Sequence, residues 1–146
     1  MDRIFLFGEE NLPYFNYKGL SQDFSDVTKS LSMKKCYQLS HRIMRILQRK
    51  YTFSACLILC PFSIKYVEKF SGHKGLCGGA VFGDTIYMTT ILNSYNDFIH
   101  ILAHEYMHII QNNNNVEINC DKLWGERDHE IEADKFADDF IKSFKL

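Results

Sequence analysis

With 146 residues, 46% of them hydrophobic, and with 12 phenylalanines and 8 tyrosines, the chain can build one real core without disulfides and reads as a single domain, 1–146. A formal net charge of −1 leaves no electrostatic footprint for nucleic acid or an anionic membrane surface. The cysteines (Cys36, Cys56, Cys60, Cys77 and Cys120) are odd in number and form no C-x-x-C pair, which argues against a disulfide framework and against a four-cysteine zinc site.

The first apolar run, residues 3–7, is too short for a signal peptide and predicts a strand. The longest apolar stretch, 55–60, is far too short to span a bilayer, so the expected setting is cytoplasmic, or the host cytosol if the source is viral. Residues 9–26 carry Asn, Gly, Pro and aromatics without periodicity and predict an irregular segment. From 29 to 51 the pattern is helical. Leu31, Cys36, Leu39, Ile43, Ile46 and Leu47 recur at steps of one face, widened by Met33, Tyr37 and Met44, with basic residues on the solvated side. Ser25 or Thr28 is the expected cap. Residues 53–60, closed by Pro61, predict a buried strand, and 63–70 a short helix or irregular connection.

The glycine-rich stretch 71–79 lacks the spacing and the following helix of a phosphate-binding loop and predicts a turn or bulge. A hairpin follows, 80–82 and 85–89 about Gly83-Asp84, in which Ile86 and Met88 face one way and Tyr87 and Thr89 the other. Ser94, with Asp97 three residues on, opens a helix. Residues 98–111 then run apolar almost all round, which predicts a buried helix ending at 112–115, a run of asparagines. A polar connection holding Cys120 and Trp124 leads to a last helix, 128–144, capped by Asp128. Its stripe is Ala133, Ala137, Phe140, Ile141 and Phe144. The fold class expected is α+β: a small mixed or antiparallel sheet, a long N-terminal helix and two C-terminal helices.

Within the buried helix stands His104-Glu105-Tyr106-Met107-His108. Residues i and i+4 share a helix face, so both imidazoles can reach one metal ion, and Glu105 can act as a base toward water. Two histidines and a glutamate are costly inside a buried helix unless paired or metal-bound. Catalytic zinc takes three protein ligands, and Glu130 is the best third, on the inward face of the last helix with Asp134 one turn on. Asp134 suits the rule that a ligating imidazole passes its other N–H to a carboxylate. Glu132 as ligand and His129 as ligand or oxyanion donor are alternatives, and Cys77 is the thiol to watch. His73 could line the cleft, His100 reads as packed or solvated, and His41 carries no signal.

Glu130-Ile131-Glu132-Ala133-Asp134, followed by Lys135-Phe136-Ala137, resembles the E-x-x-A-D signature of gluzincin metallopeptidases. With H-E-x-x-H upstream it is similar to the ImmA/IrrE family of small intracellular metallopeptidases, and equally to the stand-alone minigluzincins. The resemblance covers roughly the C-terminal half. It implies one catalytic Zn2+ held by His104, His108 and Glu130, Asp134 bonded to a ligand histidine, and Glu105 as general base. It also implies a protein or peptide substrate, including a repressor or other regulator, although no stretch of the 146 residues is expected to form the DNA-binding or sensing module often found in those families. Tyr87, Tyr95 and His129 are the candidate transition-state stabilisers, and strand 85–89 is the expected edge for a peptide to join. The rivals are a catalytically silent or regulatory zinc-binding module, an effector protease acting on one host protein, and a structural metal site completed by Cys77 or Cys120.

Overall fold

A computed structural model describes residues 3–8, 20–23, 30–66, 75–115 and 127–145. A four-stranded mixed sheet lies at its centre, in the order β1 (Arg3–Leu6), β3 (Cys56–Cys60), β7 (Thr85–Thr89), β6 (Gly79–Phe82). The first three strands run parallel, and β6 returns antiparallel to β7. Three helices, α1 (Met33–Tyr51), α2 (Tyr95–Asn113) and α3 (Asp128–Ser143), complete an α+β domain among the described residues. None of these helices is long and apolar enough to cross a membrane.

Burial on both faces accounts for the unbroken apolar run of β3. Leu57 and Leu59 point with Ile86 and Met88 toward α1 and α2. Cys56, Ile58 and Cys60 point with Tyr87 to the other side, where Phe62 and Ile64 cover them. Ile64 belongs to β4 (Ser63–Tyr66), which pairs antiparallel with β2 (Leu20–Asp23) and β5 (Gly75–Cys77) in a second sheet. These three short strands correct the expected irregular 9–26, helical or irregular 63–70 and looped 71–79. β2 and β4 are partners forty or more residues apart, β5 is added beside β4, and three or four residues are too few to show a period of their own.

The hairpin forms as expected. Gly83 has φ +62 while Asp84 does not enter positive φ, which matches a type II′ turn and not type I′. The edge of the sheet is β6, however, not Thr85–Thr89, because β7 lies between β3 and β6.

Helix α1 starts later than expected. Ser32 caps it, accepting from Lys35 N at 3.2 Å, because Leu31 N bonds Thr90 O and Ser32 N bonds the Tyr95 hydroxyl, holding the entry extended. Ser25 and Thr28 lie outside the described residues. Cys36, Leu39, Ile43, Met44 and Leu47 are buried as the stripe requires, but Ile46 is 46% exposed, about 100° round the helix from Leu47. At the chain's other end Arg42 lies over the Phe144 ring and donates to Lys145 O, tying α1 to the end of α3.

Helix α2 opens on Ser94, which accepts from Asp97 N, and closes at Asn114 and Asn115, the latter at φ +55. Its burial is not all round: His100, Ile101, His104, Met107 and His108 form a half-open strip. Helix α3 packs on that side through the fully buried Ala133 and Ala137, whose small side chains allow a close approach. Arg127, not Asp128, occupies its N-cap position, and no side chain caps it. Asp128 and Glu130 stand in the first turn, where the helix dipole favours negative charge.

Candidate metal centre

The rotation of α2 decides which way the histidines face. Tyr106 points into the core and donates to Phe53 O at 2.6 Å. Side chains two residues apart lie on nearly opposite sides of a helix, so anchoring Tyr106 inward turns His104 and His108 outward, toward α3. There Glu130, buried in the first turn of α3, meets both. Its Oε1 is 2.9 Å from His104 Nε2 and 2.9 Å from His108 Nε2, and the two Nε2 atoms are 3.1 Å apart. Among the described residues this is the one group of three such side chains that could hold a metal ion.

The outer nitrogens set the proton positions. His104 Nδ1 is 2.8 Å from Asp134 Oδ1, and an ionised carboxylate can only accept. Asp134 does this with a side chain 61% exposed, so it sits at the rim. His108 Nδ1 is 2.7 Å from Gln111 Oε1. Both Nδ1 atoms therefore carry the hydrogen, and in the neutral imidazoles both Nε2 atoms offer lone pairs. Three electron-rich atoms thus converge on one point, an arrangement that needs a cation or protons between them. A tetrahedral ion with nitrogen and oxygen ligands at roughly 2.0–2.1 Å sets its ligand atoms roughly 3.3 Å apart, within a few tenths of an ångström of the spacing here.

Without a metal, protons take that place. Burial alone would raise the Glu130 carboxyl, but the hydrogen bonds and charges of His104 and His108 outweigh it and hold the group well below the usual carboxylate range. Burial likewise opposes charging of the imidazoles. The Glu130 hydrogen bond and the charges of Glu105 and Glu130 outweigh it, raising His104 and lifting His108 to about 9. Glu105 has another environment. It is 8% exposed, and burial pushes its carboxyl above the ordinary range against the pull of His108 and His104. Strand β6 passes directly over it at Gly79, where a Cβ would lie 3.0 Å from Glu105 Cγ and 2.8 Å from Met88 Sδ.

The remaining expected residues are distributed unevenly. His129 is beside the group but outside it. Its ring is 5.6 Å from that of His108, its Nε2 is 3.7 Å from Glu130 Oε2, and its buried Nδ1 has no hydrogen-bond partner. Burial lowers its pKa. Tyr87 is fully buried on the far face of the sheet, among Ile58 and Phe62. Tyr95 begins α2, nine residues or roughly 13 Å before His104, where its hydroxyl accepts from Ser32 N. Neither tyrosine is brought to the site. Glu132 accepts from Gln111 and takes no place among the converging atoms. His100 pairs with the exposed Asp138 at 2.9 Å and takes no place among the converging atoms. Cys77 packs with the far cluster, away from the histidines, and burial pushes the Cys36 thiol to about 11 and Cys60 to about 12. Cys120, Trp124 and His73 lie outside the described residues.

Gln111 is the side chain bonded to His108 that the sequence reading overlooked. Its signal was available: it is three residues after His108, hence on the same face. Comparison with known proteins adds nothing to this geometry, since no family model matches the chain and no curated protein or solved structure matches it significantly.

Proposed function

We propose that the chain is a zinc-dependent metallopeptidase of gluzincin type, similar to the ImmA/IrrE proteins and minigluzincins. The observation that carries this is the convergence of His104 Nε2, His108 Nε2 and Glu130 Oε1 to within 3.1 Å of one another, with Glu105 alongside on the same helix. Zn2+ bound by these three residues would supply a Lewis acid for the scissile carbonyl and bring the pKa of water to about 7. Glu105 takes one proton from the attacking water as its oxygen adds to the carbonyl carbon. It then hands that proton to the amide nitrogen as the C–N bond breaks, leaving a carboxylate and an amine. A carboxyl raised by burial suits both halves of that shuttle.

The substrate would be an extended peptide or protein segment joining β6. Thr89 N bonds Gly78 O, so the alternation of an antiparallel ladder makes Ala80–Tyr87 and Phe82–Thr85 the hydrogen-bonded pairs. The backbone groups of Gly79 and Val81 then point away from β7, and Gly79 lies beside Glu105. A further strand placed there would run past the base.

One observation favours a second reading. Tyr87 and Tyr95 are remote and His129 Nδ1 is sealed from solvent, so neither expected tyrosine nor that nitrogen is set to donate to an oxyanion. A regulatory or binding module that keeps the metal without turnover fits that equally. Zinc content measured together with cleavage of a quenched peptide library separates the two. Wild type should bind one Zn2+ and cleave, while Glu105→Gln should keep the metal and lose about 10²–10⁴-fold in rate. Zinc binding with no Glu105-dependent cleavage would establish the silent module instead.

A further inference from the structure

Gln111 is almost fully buried at the end of α2 and uses both ends of its amide. Its Nε2 donates to the backbone carbonyl of His129 at 2.9 Å and to Glu132 Oε1 at 2.8 Å. Both partners can only accept, so the amide orientation is determined without reference to His108. Rotated by 180°, it would place an oxygen against two oxygens. Oε1 must therefore face His108 Nδ1, and the ring must carry its hydrogen there.

Resting on the zinc-site reading above, we propose that Gln111 is a positioning residue that fixes the His108 tautomer and holds the start of α3 in register with α2. A water at the same spot could donate or accept and would select neither tautomer. The second half of the role follows from the partner carbonyl, which belongs to the residue directly before Glu130. Helix α3 has no side-chain cap, and Gln111 ties its first turn to α2 through His129 O and Glu132. One amide thereby sets the angle of the second ligand and the placement of the third. This differs from the Asp134–His104 contact, which is exposed and lies within the recognised signature.

The test compares two variants in the Glu132→Gln background, which removes like-charge repulsion at position 111. Gln111→Met keeps the volume and removes every hydrogen bond, whereas Gln111→Glu keeps an acceptor opposite His108 Nδ1 and loses both donors. Zinc affinity is read by chelator competition, coordination by the visible spectrum of the Co2+-loaded protein, and fold by melting of the metal-free form. Gln111→Met should bind zinc about 10- to 100-fold more weakly than the background, with an altered Co2+ spectrum. Gln111→Glu should stay within about threefold in affinity although it also melts lower. If both variants bind within threefold, or affinity simply follows melting temperature, Gln111 is structural only and the inference fails. A second measurement needs no variant: imidazole ¹⁵N spectra of the zinc-loaded wild type should show hydrogen on His108 Nδ1, and coordination through Nδ1 would overturn the proposal. Wild type that binds no zinc, or binds it as tightly with Glu130→Gln, fails the zinc reading itself, a result distinct from either outcome at Gln111.

Discussion

If His104, His108 and Glu130 hold a metal as proposed, proton and metal compete for one point between them, and the competition has a direction in pH. His108 is raised from 6.5 to about 9 in the metal-free fold, burial being outweighed by Glu130 and Glu105. A raised value means the folded state holds the proton more tightly than the unfolded chain. That stabilisation is complete below about 6.5 and is lost as pH climbs through 9. Glu130 is shifted the other way, so its contribution is present above its ordinary value of 4.5 and lost as pH falls. Metal-free protein should therefore be most stable between these limits and weaken toward pH 9. Zinc requires the imidazoles unprotonated, so its effect should grow over the same upper range. Melting curves at pH 6, 7.5 and 9, with and without zinc, check both trends. A zinc-induced shift of equal size at all three would contradict the shared site.

Among the elements, β6 pairs with β7 on one side and with no other described strand, so an edge role there can be separated from structure. Val81 sits in a non-hydrogen-bonded pair with Ile86, so its N–H faces away from β7. Proline is tolerated at such edge positions. Val81→Pro should leave the fold and zinc content intact while removing one donor to a docked peptide and cutting turnover. Zinc loss matching the loss of turnover would sink the docking model. Helix α1 offers a cleaner test of packing. Ile43 is fully buried and Ile46 is 46% exposed, although periodicity put both on the stripe. Ile43→Ala should cost about 2–5 kcal/mol, and Ile46→Ala within about 0.5 kcal/mol, as read by denaturant unfolding. Equal costs would mean α1 is rotated from the orientation described.

For the molecule as a whole, the proposed ligands come from two helices whose mutual packing places them, so metal binding at that site would be linked to folding. Free zinc at a thousand times its dissociation constant should stabilise the native state by about 4 kcal/mol. Thermal melts should show that stabilisation removed by chelator and absent in His104→Ala. Melting unchanged by chelator in zinc-loaded wild type would show that α2 and α3 do not bring the ligands together in the folded protein.

What the sequence alone determined lies within single helices. His104 and His108 are placed by the 3.6-residue period, and Ser94 and the asparagines bound their helix by capping chemistry, all of which act over a few neighbouring residues. Glu130 and Asp134 were legible for the same reason, being one turn apart on or beside the inward face. Only the tertiary structure decided that β2, β4 and β5 are strands, that β6 and not β7 is the edge, and that Tyr87 and Tyr95 lie away from the histidines. Apart from the β6–β7 hairpin, whose turn is local, the order of the central sheet and the pairing of β2 with β4 arise between residues tens of positions apart, and nothing local records them. Gln111 stands between the two: its face was readable, but its role depends on a carbonyl and a carboxylate from α3, which become its partners only when the two helices meet.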